Sequence, residues 1–267
     1  MCELFAMSAS RPVGVGAYLK QLMPRGGRIG PHNDGWGVAY FEGLAARVFK
    51  EAVPASESPF LSLLAKQDLL SHAVIAHIRL ANPSQFGRAA CNTHPFEREY
   101  CGRSWVFAHN GKLPALPSDL CEADRFRPIG GTDSERAFCY ILNAIVERFG
   151  SQCRSYVVSE VVGLIRRTVS ELKEMGGRDG ELNFILSDGD GLYVYADTRL
   201  QRLIREVDVA GHRVKQVLLA TAPLTGEAWW PLTPGTIQVY RQGVERHGDD
   251  SEHTPWNGTP ETRIAAM

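Results

Sequence analysis

Cys2-Glu3-Leu4-Phe5-Ala6-Met7-Ser8 is the stretch around which the chain is organised. Its apolar run reads as a strand, and its first residue stands directly behind the initiator methionine. Removal of Met1 would leave one residue carrying both a thiol and a free α-amine. In unperturbed peptides the thiol titrates at about 8.5 and the amine at about 8. Side by side they make a nucleophile with its own base near neutral pH. The other reading of Cys2 is a small apolar residue in a buried first strand, and this stretch alone leaves both open.

Around that stretch lie 267 residues, enough for one large domain or two small ones with a substantial core. Lys and Arg number 29 against 30 Asp and Glu, and no long run has a single sign. Nothing in that balance asks for a nucleic acid or an anionic membrane. No apolar stretch approaches the ~18 residues of a membrane span, and no charged segment followed by an apolar one opens the chain, so a cytoplasmic protein is expected. The six cysteines never form C-x-x-C, and the histidines do not sit at zinc-ligand spacing beside them. Neither a structural metal nor, in a reducing compartment, a disulfide is expected.

Downstream, residues 12–30 read as a glycine-rich loop with one amphipathic turn at 18–23. His32-Asn33-Asp34-Gly35 is a turn signal, running into a strand at 35–41 and a hairpin partner at 46–50. Residues 58–67 have near-helical apolar spacing, with Pro59 as a first helical residue. His72–Leu80 reads as a central strand whose far end meets Arg79, and Asn82-Pro83-Ser84 breaks it. A further strand at 105–108 is expected to stop at His109-Asn110-Gly111. Thr132 followed by Glu135 is a capping box opening a long helix, and a second helix begins near Ser155 and ends at Gly176-Gly177. Strand patterns return at 182–186, 192–196, 201–206, 216–220 and 236–241. Strands, a helix pair and strands again predict sheets with helices layered outside them. Residues 246–267 are polar and read as a mobile tail.

Five pieces then stand out: Cys2, Arg79, Asn92-Thr93-His94-Pro95-Phe96, His109-Asn110-Gly111, and Asp133 within Gly130-Gly131-Thr132-Asp133-Ser134-Glu135. In this order they resemble the class II, or N-terminal nucleophile, glutamine amidotransferase domain, over residues 2–245 and in its compact single-domain form. The resemblance implies an α+β fold, a four-layer αββα sandwich, and cleavage of the glutamine side-chain amide through a Cys2 thioester. The Asn110 side chain and the Gly111 N–H are then expected to hold the oxyanion. Arg79 would take the substrate α-carboxylate in a two-pronged pair, Asp133 the α-ammonium, and His94 would border the pocket. Each piece has a plainer reading: a tight turn for Asn110-Gly111, a solvated strand-end charge for Arg79, a dipole-favoured carboxylate for Asp133. His109 is expected to position or pack.

The chain departs from the family pattern after the arginine. Arg79-Leu80-Ala81-Asn82-Pro83-Ser84 stands where relatives often have Arg-Trp-Ala-Thr-His-Gly, so Asn82 is expected to replace a threonine in hydrogen bonding to substrate. No cofactor is implied. The expected partners are a small-molecule substrate and, because no ammonia-consuming domain is evident, a separate acceptor enzyme. Two other activities fit the same residues: hydrolysis of a γ-glutamyl conjugate, as in ergothioneine synthesis, and glutamine sensing without turnover.

Overall fold

A computed structural model describes residues 2–81, 87–150 and 156–246. In chain order the elements begin with β1 (Glu3–Gly14), α1 (Gly16–Leu22), β2 (Trp36–Glu42), β3 (Ala45–Glu51), α2 (Pro59–Gln67), β4 (Leu70–Ile78), β5 (Phe96–Glu99) and β6 (Ser104–Lys112). They continue with α3 (Asp133–Phe149), α4 (Val158–Gly176), β7 (Glu181–Ser187), β8 (Leu192–Ala196), β9 (Gln201–Val209), β10 (His212–Ala220), β11 (Trp230–Pro231), β12 (Thr236–Arg241) and β13 (Val244–Arg246). The strands form a 7-stranded sheet ordered β11-β9-β10-β1-β4-β2-β3 and a 6-stranded sheet ordered β13-β12-β8-β7-β6-β5. No helix among the described residues is long and apolar enough to cross a membrane.

Three buried clusters mark the interfaces between four layers. Successive strand side chains point to opposite faces, so β1 feeds two of them. Phe5 and Met7 pack with Leu19 of α1 and Leu61 of α2, while Leu4 and Ala6 join Val106, Ala108 and Val194 in the seam between the sheets. The second sheet turns Phe107 and Phe184 outward onto Phe138, Ile141, Ile165 and Leu172 of α3 and α4. This is the expected αββα sandwich. A strand covered on both faces needs no polar alternation, which is why residues 4–7 of β1 are all apolar.

Helix ends follow their sequence signals. Ser58 Oγ accepts the Leu61 N–H at 3.0 Å ahead of Pro59, and Thr132 Oγ1 accepts the Glu135 N–H at 3.2 Å. The Glu135 carboxylate does not close the capping box; it accepts the Gly130 N–H at 2.7 Å and pairs with Arg98 at 2.6 Å. The aromatic rings of Phe107 and Phe138 stack with centroids 5.3 Å apart.

Several expectations are corrected. β6 does not stop at His109: it pairs His109, Asn110 and Gly111 with Phe184, Asn183 and Leu182 of β7. Polarity fails to end the strand because these groups find partners inside the protein. β1 runs on through Pro12 to Gly14, and the register with β4 shifts between Ser8 and Val13, a break in the ladder where proline is tolerated. Cys101 is disulfide-bonded, against the expectation from compartment chemistry; its partner lies outside the described residues, and Cys2, Cys91, Cys121 and Cys139 are free. Arg246, read as the first tail residue, pairs with Val239, and the rest of that segment lies outside the described residues.

One end of the seam is polar. His77 of β4, His94 and His109 of β6 are 1%, 4% and 1% exposed. His77 Nε2 faces the His109 carbonyl at 3.2 Å, and its ring lies 4.2 Å from that of His94. His109 uses both nitrogens, Nδ1 with Ser134 Oγ at 2.8 Å and Nε2 with the Glu181 carbonyl at 3.1 Å. Burial holds all three rings neutral, pushing His77 down to about 3 and lowering His94 and His109.

Two stability measurements follow. Between pH 6.5 and about 3 the unfolded chain binds a proton at His77 that the native protein excludes. The unfolding free energy therefore falls as pH drops below about 6.5, by up to about 1.4 kcal/mol per pH unit for each such histidine; urea midpoints equal at pH 7.5 and 5.5 would contradict this. Phe138→Ala, removing a fully buried ring between α3 and the second sheet, is expected to cost about 3–5 kcal/mol. Phe60→Ala, at a ring 37% exposed, should cost clearly less in the same urea titration.

Candidate active site

Strand pairing delivers the first two components. Glu3 pairs with Ile78, so the residues just beyond that register, Cys2 and Arg79-Leu80, meet at the ends of β1 and β4. Cys2 Sγ sits 3.4 Å from the Leu80 N–H nitrogen and 3.5 Å from the Leu80 carbonyl oxygen. The Arg79 N–H donates to the Gly35 carbonyl at 2.8 Å, and its Nη1 to the Asp34 carbonyl at 3.4 Å. Arg79 is 5% exposed, so it is not the solvated strand-end charge of the plainer reading.

The second sheet brings the rest across the seam. Asn110 shares the inward face of Val106 and Ala108, and its Nδ2 donates to the Cys2 carbonyl at 2.7 Å. The Asn110 carbonyl in turn accepts from Asn183 Nδ2 at 3.0 Å, while Asn110 Oδ1 is buried without a partner. At Gly111 any Cβ would lie 1.9 Å from the Glu181 carbonyl oxygen, so only glycine fits the close approach of β6 to β7. Asp133, at the start of α3, accepts the Leu113 N–H at 2.6 Å through Oδ2 and the Ser134 N–H at 2.8 Å through Oδ1. The Ser134 hydroxyl also lies 3.4 Å from Oδ1; a carboxylate offers about four acceptor sites, so one is left for a ligand.

Cys2, Arg79, His94, Gly111 and Asp133 line one cavity of about 150 Å³, together with Leu80, Lys112 and Arg136. Asn110 adjoins this cavity through its hydrogen bond to Cys2. Both ring nitrogens of His94 are buried without partners. Asn82, expected beside the substrate, lies outside the described residues.

Burial pushes the Cys2 thiol above its ordinary value; the Leu80 backbone hydrogen bond and the Arg79 charge pull it down, and Asp133 raises it. Desolvation of the thiolate outweighs the favourable contacts, so a proton must leave as the sulfur attacks. His109 has both nitrogens committed, and His94 is far too weak a base when held neutral by burial.

Three contributors, Asp34, Lys112 and Arg136, carry no functional signal in the sequence. Asp34, read only as part of a turn, accepts the Ala81 N–H at 2.8 Å and pairs with Arg88 at 3.2 Å, clasping the segment that carries Arg79. Lys112 and Arg136 stand beside Gly111 and Asp133 in the chain, but a basic residue next to a motif is no signal of a cavity wall. Asn92, which opens the motif that carries His94, also serves the site: its Oδ1 accepts the Gly131 N–H at 3.0 Å, fixing the turn before α3, and a Cβ on Gly130 would meet that oxygen at 2.3 Å.

Residues 1–263 match the family model described as glutamine amidotransferases class-II. The chain is 36% identical over 261 residues to YafJ of Escherichia coli (strain K12), covering 91% of this chain and 98% of that one. A Haemophilus influenzae relative is 32% identical over 262 residues, covering 91% and 85%. The structure of a predicted glutamine amidotransferase from Pseudomonas aeruginosa PA01 superposes with a TM-score of 0.64 at 30% identity, covering 91% of this chain and 99% of that one. Glutamine phosphoribosylpyrophosphate amidotransferase from Bacillus subtilis gives a TM-score of 0.64 at 17% identity over 92% of this chain and 48% of that one, a likeness of fold alone. The span matched by the family model and the identity shared with these relatives show that this chain belongs to the class II glutamine amidotransferases.

Proposed function

We propose that the protein hydrolyses the side-chain amide of glutamine, with Cys2 as nucleophile once Met1 has been removed. The observation that carries this is the convergence of Cys2, Arg79, Gly111 and Asp133 on one cavity. Residues 2–245 would form the amidotransferase domain, and the segment from 246 onward its tail.

Arg79 receives the substrate α-carboxylate through its planar guanidinium, and Asp133 the α-ammonium. The freed α-amine of Cys2 takes the thiol proton as sulfur attacks the amide carbon. The S–C bond forms, the C–N bond breaks, and the proton passes to the departing nitrogen, which leaves as ammonia. Water then attacks the thioester; the S–C bond breaks and glutamate is released with the thiol restored. The need for a base is supported by the raised thiol, and the α-amine is the group left for it.

The oxyanion of each tetrahedral intermediate is assigned to the Gly111 N–H and the second Nδ2 hydrogen of Asn110, the first being held by the Cys2 carbonyl. Asn110 thus orients the nucleophile as well. His94 packs at a tilt against His77 and Phe96 and lines the pocket. The ammonia goes to water or to a separate acceptor enzyme.

Cys2→Ala is expected to abolish release of glutamate from glutamine while the circular dichroism spectrum stays native; more than a few per cent residual turnover would refute the role of the sulfur. Arg79→Lys keeps the charge but loses the fork, and should raise KM for glutamine at least about tenfold. Asn110→Ala should lower kcat by about 10²–10³. An unchanged KM in the first or an unchanged kcat in the second would contradict the corresponding assignment.

A further inference from the structure

The cavity carries more positive charge than glutamine can use. Among the described residues that line it, Asp133 is the one acid, set against Arg79, Lys112 and Arg136. A free glutamine zwitterion engages one cation and one anion, which Arg79 and Asp133 supply. Lys112 and Arg136 remain, and neither forms an ion pair among the described residues.

The two residues stand on the wall formed by the end of β6 and the first turn of α3. Lys112 directly follows Gly111 and is exposed. Arg136 lies one helical turn beyond Asp133, on the same face. Its Nη1 donates to the Gly131 carbonyl at 2.9 Å, which holds the side chain in place. Its Nε–H is buried with no acceptor. Leaving a charged donor buried and unsatisfied is costly, and a ligand that brings an oxygen to it removes that cost.

We propose that this cavity takes γ-glutamyl amides whose amine portion carries a carboxylate, such as a γ-glutamyl amino acid or peptide, and that Lys112 and Arg136 receive that carboxylate. The proposal rests on the assignment of Cys2, Arg79 and Asp133 as the glutamyl site. The chemistry is the same and balances with one water: the S–C bond forms as the C–N bond to the amino acid breaks, and the α-amine of Cys2 returns its proton to the departing amine. Water then cleaves the thioester to glutamate. The leaving amino acid keeps its carboxylate throughout, so the two cations act on binding.

The test compares γ-glutamylglycine with γ-glutamylglycinamide, which has the same shape without the charge, using the full chain with Met1 removed. The expected kcat/KM is at least about tenfold higher for the charged compound, a difference worth about 1.4 kcal/mol and expressed mainly in KM. In the Lys112→Ala, Arg136→Gln double variant that ratio should fall towards one. Equal values for the two compounds in the unsubstituted protein, or a ratio unchanged in the double variant, would overturn the proposal. Calorimetry on the Cys2→Ala variant reads the same preference without turnover. If the unsubstituted protein cleaves neither compound while Cys2→Ala binds γ-glutamylglycine at least about tenfold more tightly than γ-glutamylglycinamide, the catalytic reading fails and this one stands. Equal Kd values would sink this one, whatever happens to glutamine.

Discussion

The hydrogen bond from the Asn110 side chain to the Cys2 carbonyl, 2.7 Å long and buried at the edge of the seam, is the contact on which the rest of the site depends. It joins the first residue ahead of one sheet to an interior strand of the other. Because β1 and β6 lie in different sheets, the thiol can be held there only if the two sheets pack face to face in one register. The apolar seam of Leu4, Ala6, Val106 and Ala108 supplies that packing, and Asn183 fixes Asn110 from the far side. The geometry of the cavity is thus a property of the sandwich: Cys2 and Arg79 stand directly beyond the ends of β1 and β4, and Asn110 and Gly111 lie within β6.

Such a site requires polar groups where the core would otherwise be apolar. His77, His94 and His109 fill that end of the seam as neutral rings, stacked or hydrogen-bonded, so that no charge is buried beneath the cavity. Charge is confined to the cavity wall, where Arg79 and Asp133 are each anchored by backbone hydrogen bonds. The thiol sits between these regimes. It is buried enough to be protonated, and it is close enough to Arg79 and the Leu80 N–H for a developing thiolate to be stabilised.

Much of this was legible in the sequence because period and punctuation are local. The apolar run of residues 4–7, the hairpin expected at 35–50, the proline-opened helix at 59–67 and the Thr132 cap each fix their own conformation, and the structure has these elements within a residue or two of the expected bounds. The strands at 192–196 and 236–241 fall where expected. What was not legible is long-range. The continuation of β6 through Asn110 depends on β7, some seventy residues on in the chain, offering partners to polar residues. The short strands β5, β11 and β13 exist only as additions to other strands' edges. Asp34 carries a turn signal but acts through Ala81 and Arg88, and the bonding of Cys101 is set by spatial approach rather than by compartment. Among the described site residues, the family motifs found those that meet at Cys2, whereas Lys112 and Arg136 needed the cavity to be seen.

The sulfur at position two, at the mature amino end, is the group proposed to attack a glutamyl amide. Treating the cellular protein with a diazoketone analogue of glutamine and mapping the adduct by peptide mass spectrometry tests it most directly. A single adduct is expected, on a peptide that begins at Cys2 and lacks Met1, and excess glutamine should protect it. An adduct on the exposed Cys91, or labelling of a peptide that still begins with Met1, would contradict it.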